Sequence, residues 1–116
     1  MASTLFILNE APYGTERAYN ALRLAGSLAG KEGQHVRMFL MADAVMCAKA
    51  GQKVPEGYYN VQLMLGKVVR NGEVLLCGTC MDARGLRADE IIQGAVRGTL
   101  AQLADWTVDA DKVLVF

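Results

Sequence analysis

The chain has 116 residues, enough for one hydrophobic core and one domain, which we take to span residues 1–116. Twelve basic side chains balance twelve acidic ones, so no net charge recruits nucleic acid or an anionic membrane. Hydrophobic residues make up 53% of the chain, a slight surplus that subunit contacts often bury, and this favours a homo-oligomer.

The first half of the chain alternates predicted strands with predicted helices. Residues 4–8 are apolar and β-favouring without polar alternation, as in a strand buried on both faces of a parallel sheet. Apolar positions at helical spacing predict a helix over 15–29, which Gly30 and Gly33 end. A second strand is predicted at 35–41, followed by a helical stretch over 42–51.

The second half continues this alternation. Its predicted elements are a loop at 52–57, a helix at 58–69, a strand at 73–77, a helix at 88–94, a brief strand at 95–97, an amphipathic helix at 99–107 and a strand at 112–116. Strands that alternate with helices pair in parallel through right-handed crossovers. The pattern therefore predicts an α/β fold with helices on both faces of one sheet.

The N-terminal segment and the cysteine count both favour the cytoplasm. The first ten residues have neither the basic start of a signal peptide nor the length of a membrane span. Three cysteines, an odd number, fit a reducing compartment in which thiols persist. We therefore expect a cytoplasmic protein with no membrane partner.

Two cysteines with CxxC spacing, Cys77 and Cys80, follow the strand predicted at 73–77. In a parallel sheet, ligands and chemistry usually lie beyond the carboxyl ends of the strands. A helix beginning directly after this strand would favour the thiolate form of Cys77, and Arg84 would add a second positive influence. The thiolate is the form that attacks persulfides and disulfides. The alternative is that Cys77 is a small buried apolar residue.

The CxxC spacing leaves several functions open for Cys80. It places two sulfurs within disulfide reach, as in redox-active dithiols, and it is also half of a zinc site. Cys47 and His35 would complete a Cys3His ligand set on paper. Because His35 stands at the start of a strand and Cys77 at the end of another, we expect no metal.

Cys47, Asp82 and Arg84 are weaker candidates for the site. Cys47 is either a second sulfur near the site or part of the core. Asp82 and Asp89 would oppose ionisation of a nearby thiol, so we expect them to cap helices or to be solvated. The chain has no phosphate-binding loop and no GxGxxG after a strand, so we expect no cofactor. Nor is any histidine placed as a base to activate a nucleophile.

Three segments resemble the DsrE/DsrF-like family, particularly its YchN-like subgroup: ADAVMCAKAGQ, VLLCGTCMDARGL and LADWTVDADKVLVF. The resemblance runs over nearly the whole chain. It implies a three-layer α/β/α sandwich with a mainly parallel five-stranded sheet, assembled as trimers or hexamers. It also implies that Cys77 accepts a persulfide and passes it to a partner. Cys80 departs from the sulfur-relay members, which commonly have a small apolar residue there.

Three hypotheses follow. The first is a cytoplasmic sulfur-handling protein with sulfurtransferase-like chemistry, in which Cys77 carries a persulfide received from a donor protein or passed to an acceptor. Cys80 would modulate or resolve it, with Cys47, Asp82 and Arg84 as further contributors. The second is a redox protein that cycles a Cys77–Cys80 disulfide. The third is an oligomeric binding module whose cysteines only pack.

Overall fold

The computed structural model describes residues 2–116, and over that range all strand pairs of the sheet are parallel. The strands are β1 (Ala2–Leu8), β2 (Gln34–Leu40), β3 (Glu73–Cys77), β4 (Ala95–Gly98) and β5 (Lys112–Val115). The helices are α1 (Arg17–Ala29), α2 (Val61–Asn71), α3 (Gly78–Ala83) and α4 (Leu100–Asp109), with 3₁₀ segments at Ala42–Ala48 and Ala88–Glu90. None of the helices described is long and apolar enough to cross a bilayer.

The order of the strands explains why helices cover both faces. The order is β4-β3-β2-β1-β5, so the chain moves in one direction from β1 to β4 and then returns past β1 to place β5. Right-handed crossovers that run in opposite directions put their helices on opposite faces. Accordingly α4, which connects β4 to β5, lies on the other face from α1 and α2. This confirms the predicted three-layer α/β/α sandwich with a five-stranded parallel sheet.

The two faces of the sheet bury different amounts of side chain. Residues such as Phe6 and Leu8 of β1 belong to the larger core cluster, which contains the buried residues of α1 and α2. Their neighbours facing the other way form a smaller cluster, in which Leu5 and Phe39 pack with Leu103 of α4. Because α4 is the only helix in this smaller cluster, part of that face beside the carboxyl end of β3 stays open.

The helix predicted over 42–51 is instead the 3₁₀ segment Ala42–Ala48. Its buried residues fall in pairs three apart, Ala44 with Cys47 and Val45 with Ala48. In a 3₁₀ helix, side chains at i and i+3 eclipse, so this tighter winding turns both pairs towards the core. The segment begins at Ala42 with a φ of 50°, a left-handed conformation that is costly for a residue with a Cβ.

Two other predicted helices differ from the structure at their ends. The helix predicted at 58–69 begins only at Val61, because the Asn60 side chain caps it by accepting the N–H of Leu63 at 3.2 Å. The helix predicted at 88–94 is wrong beyond the single 3₁₀ turn Ala88–Glu90. There the N–H of Ile92 donates to the carbonyl of Ala48, so the backbone pairs with another segment.

Close contact between α2 and β2 makes a glycine necessary at position 72. A Cβ at Gly72 would overlap the carbonyl oxygen of Val36, which is backbone and cannot rotate away. We expect Gly72→Ala to lower the free energy of unfolding by about 1 to 3 kcal/mol, the usual range for overpacking. Urea denaturation measures this. Gly30→Ala is the control, since its Cβ would meet only Ser27 O at 3.6 Å, and an equal loss in both variants would contradict the explanation.

Candidate functional site at the carboxyl end of β3

Cys77 lies where β3 ends and α3 begins. It is the last residue of the strand and also the residue that caps the helix. Its Sγ accepts the backbone N–H of Cys80 at 3.3 Å, the position in which the oxygen of a serine or aspartate usually caps a helix. Strand β3 therefore delivers the Cys77 sulfur to the edge of the sheet, and the first turn of α3 holds it there.

Hydrogen bonds that converge on Cys77 favour its thiolate. Burial opposes ionisation, but donation from the Cys80 thiol, the Thr79 hydroxyl and the backbone N–H groups of Cys80 and Thr79 outweighs it and lowers the pKa of Cys77. The Thr79 Oγ1 lies 3.3 Å from the sulfur. With its side chain partly accessible, Cys77 has both properties of a reactive thiol.

Cys80 has the opposite tendency. Burial and its hydrogen bond to Cys77 raise the pKa of Cys80, although the backbone N–H of Ala42, which donates to its Sγ at 3.2 Å, partly offsets them. Of the two thiols, Cys77 therefore ionises more readily, and Cys80 keeps its proton to higher pH. All three cysteines of the chain are free thiols.

Arg84 acts on Cys80 and not on Cys77 as the sequence suggested. Its guanidinium pairs with Asp43 at 2.9 Å and donates to the carbonyl of Cys80 at 3.0 Å. Its positive charge is among the influences that lower the pKa of Cys80, while the hydrogen bonds that lower the pKa of Cys77 come from Cys80 and Thr79. The reason is that the Arg84 side chain reaches back along α3. It ties this helix to the 3₁₀ segment that follows β2.

Arg97 of β4 is a residue of this site that the sequence analysis missed. Its guanidinium forms two hydrogen bonds with the exposed carboxylate of Asp82, at 2.8 and 2.9 Å. It also lies against Gly78, where a Cβ would come within 2.8 Å of its Cζ. Asp82 is therefore solvated, as expected, but it is also paired. The order of the predicted strands could have indicated Arg97, because strands that follow each other in such a fold usually pair in parallel. In the structure, the register of β3 and β4 sets Arg97 opposite Leu76, next to Cys77.

A cavity of about 410 Å³ opens beside the two cysteines, at the uncovered part of the sheet face. Its walls come from the ends of β2, β3 and β4 and the starts of α3 and α4. The residues that line it are Phe39, Met41, Cys77, Gly78, Thr79, Cys80, Arg97, Gly98, Thr99 and Leu100. The site therefore combines a nucleophilic sulfur with a largely apolar recess and one arginine.

The other candidate ligands lie apart from this cavity. Cys47 is fully buried in the core, and burial raises the pKa of Cys47 to about 12, which favours the packing interpretation. His35 stands at the amino end of β2, 2.6 Å from Glu73 at the amino end of β3. Because Cys77 is at the carboxyl end of β3, the length of that strand separates it from His35. Within residues 2–116, no three histidine, cysteine or acidic residues are grouped so that they could hold a metal ion.

Removing a donor to the Cys77 sulfur should weaken its ionisation. We expect Thr79→Val to raise the pKa of Cys77 and so to slow its alkylation at neutral pH, since a hydrogen bond to the charged sulfur is lost. The rate of alkylation by iodoacetamide between pH 5 and 10, located by fragmentation of the labelled peptide, measures this. Thr15→Val, in the loop between β1 and α1, is the control, and identical profiles for all three proteins would contradict the assignment.

Comparison with known proteins gives this fold and sequence a family. The DsrE/DsrF-like family model matches residues 2–116. The chain is 47% identical over 118 residues to Protein YchN of Escherichia coli strain K12, covering 100% of both chains, and 39% identical to an uncharacterized protein of Methanopyrus kandleri, covering 95% of this chain and 90% of the other.

Solved structures agree. The crystal structure of the E. coli YchN protein superposes with a TM-score of 0.93 at 47% identity over the full length of both chains. A protein of unknown function from Methanobacterium thermoautotrophicum, 10% identical over 100% of both chains, shares the fold alone with a TM-score of 0.79. The protein therefore belongs to the DsrE/DsrF-like family, as its cysteine motif and closing segment suggested.

Proposed function

We propose that this protein is a sulfur carrier in which Cys77 holds a transient persulfide. The observation that carries the proposal is the Cys77 sulfur itself, which is held as a hydrogen-bond acceptor by Thr79 and the Cys80 backbone at the wall of an open cavity. Membership of a sulfur-related family supports it. The free state of all three cysteines suits a reducing cytoplasm, where we place the protein.

The proposed transfer is an exchange between sulfur atoms. The Cys77 thiolate attacks the outer sulfur of a donor persulfide, the sulfur–sulfur bond of the donor breaks, and the donor leaves as a thiolate. Cys77 then carries the outer sulfur. An acceptor thiolate attacks that atom in turn and releases Cys77 as a thiolate. Neither step needs a cofactor or a net oxidant, and the partners are thiol-bearing donors and acceptors.

A persulfide on Cys77 can also react with Cys80. If the Cys80 thiolate attacks the inner sulfur, a Cys77–Cys80 disulfide forms and the outer sulfur leaves as hydrosulfide. The two thiols are oxidised and the carried sulfur is reduced, so the electrons balance. Because its raised pKa keeps Cys80 mainly protonated at neutral pH, we expect this reaction to be slower than transfer to an ionised acceptor.

The contact between the two cysteines also favours a second candidate function, a dithiol that cycles with a disulfide. The N–H of Cys80 donates to the Cys77 sulfur, and each thiol shifts the pKa of the other, so the two residues are neighbours at the first turn of α3 and are placed for exchange. This candidate requires that oxidation by a disulfide reagent yields an intramolecular bond. It does not require that Cys77 retains an added sulfur.

Mass spectrometry of the intact protein after incubation with a small-molecule persulfide donor separates the candidates. We expect a gain of about 32 Da for each added sulfur in the wild type and in Cys47→Ala, and its absence in Cys77→Ser. Cys80→Ser should retain the added sulfur longer than the wild type, because the resolving thiol is gone.

A loss of about 2 Da without any persulfide, abolished by either Cys77→Ser or Cys80→Ser, would favour the redox dithiol instead. If neither mass change appears in any variant, the cysteines serve only packing and the protein is a binding module. A persulfide that forms equally well in Cys77→Ser would refute the assignment to Cys77.

We further propose that the chain works as a homo-oligomer, a trimer or a hexamer. Support comes from apolar side chains exposed on α4 and β5, including Leu100 at 71%, Val108 at 88% and Val115 at 65%. Light scattering should give three or six times the chain mass of 12.5 kDa. Val108→Asp should reduce that mass if α4 is in the interface, with Glu32→Gln as the control. A wild-type monomer would contradict the proposal.

A further inference from the structure

All four tyrosines of the chain lie together, away from the cysteines, in what we call the tyrosine cluster: Tyr13, Tyr19, Tyr58 and Tyr59. Tyr59 is at its centre, with ring centroids 4.2 Å from Tyr19, 4.5 Å from Tyr58 and 5.6 Å from Tyr13. The rings come from three separate parts of the chain: the loop after β1, helix α1 and the segment before α2. Tyr13 and Tyr59 also pack against the core, whereas Tyr58 is 50% exposed and leaves part of the stack open to solvent.

Hydrogen bonds fix the cluster in place. The Tyr13 hydroxyl donates to Gln52 Oε1 at 2.6 Å and accepts the N–H of Val61, the first residue of α2, at 3.0 Å. Hydrogen bonding with Tyr58, then burial and the nearby charge of Glu16, raise the pKa of Tyr59 to about 12, so its ring stays neutral. A surface that is already ordered loses little entropy when a ligand binds.

One face of the cluster already holds a cation. The guanidinium of Arg23 lies over the Tyr19 ring, 5.3 Å from its centroid. Tyr58 and Tyr59 line a cavity of about 350 Å³ together with Gly14, Thr15 and Glu16. The electron-rich faces of tyrosine rings attract cations within about 6 Å, and a guanidinium also stacks flat on them.

Glu16 supplies a negative charge that is not used elsewhere. It stands before the first residue of α1, yet its carboxylate makes no capping hydrogen bond there. Within residues 2–116 it has no ion pair, whereas the adjacent Arg17 is paired with Glu10 at 3.1 Å. The cavity therefore has aromatic walls and an unpaired carboxylate, a combination that suits a cation with a planar face and repels an anion.

We propose that this cavity binds the guanidinium of an arginine side chain presented by a partner protein. The guanidinium stacks against Tyr58 while its N–H groups donate to the Glu16 carboxylate, as a planar fork of donors allows. The surface is separate from the Cys77 cavity and does not depend on sulfur chemistry. It gives the protein a docking point for a basic segment on the side of the sheet that carries α1.

The test is a titration of ¹⁵N-labelled protein with the peptide acetyl-Gly-Arg-Gly-amide, followed by NMR at 150 mM salt. Acetyl-Gly-citrulline-Gly-amide is the matched control, because citrulline has nearly the same shape without the charge. We expect saturable shifts at the backbone amides of Gly14, Thr15, Glu16 and Tyr58 with the arginine peptide only. Equal binding of both peptides, or shifts spread over the whole surface, would overturn the proposal.

Variants locate the interaction. Glu16→Gln and Tyr58→Leu should each weaken binding of the arginine peptide by about threefold or more, since each removes one of two attractive contacts. Glu32→Gln, an exposed glutamate in the turn before β2, should bind like the wild type. Spectra that match the wild type outside the cavity show that the variants fold. Unchanged affinity in both Glu16→Gln and Tyr58→Leu would exclude this cavity as the binding place.

Discussion

The hydrogen bonds that end on the Cys77 sulfur join the fold to its chemistry. The first turn of α3 needs an acceptor for its free N–H groups, and here the acceptor is a sulfur in place of the usual oxygen. The donors that start the helix are therefore the same donors that favour the thiolate. A substitution that spares the helix must keep an acceptor at this position, and one that spares the chemistry must keep sulfur.

Near this sulfur, an ion pair joins two neighbouring segments of the chain. Arg84 and Asp43 tie α3 to the 3₁₀ segment, whose first residue, Ala42, has a left-handed backbone and donates to Cys80. A conformation of that kind costs energy and persists where the surrounding structure enforces it, which is common at functional sites. Its effect here is to aim one N–H at the second sulfur. The strain thus positions Cys80, and the donated N–H partly offsets the rise in the pKa of that thiol.

Much of this fold was predictable from the sequence, because buried parallel strands are short apolar runs between helical patterns. The strand predicted at 73–77 matches β3 at both ends, and its last residue placed Cys77 at the functional edge of the sheet. The helix predicted at 88–94 failed because Ile92 bonds to Ala48, a tertiary contact that local periodicity does not reveal. The ion pairs of Arg84 and Arg97 could not be predicted either, because a long side chain can reach several neighbouring segments and only the structure shows which one it contacts.

The direction in which a carried sulfur would point follows from the same geometry. The inner sulfur of a persulfide on Cys77 keeps its place beside the N–H of Cys80, because moving it would uncap α3. The outer sulfur must then extend away from the helix, and the space there is the recess formed by Phe39, Met41 and Leu100. Because this recess is open, a partner thiol can reach that atom, while Cys80 keeps its contact with the inner one. On the proposed chemistry, transfer to a partner and resolution by Cys80 thus approach different sulfur atoms, so the two reactions compete for one intermediate without blocking each other.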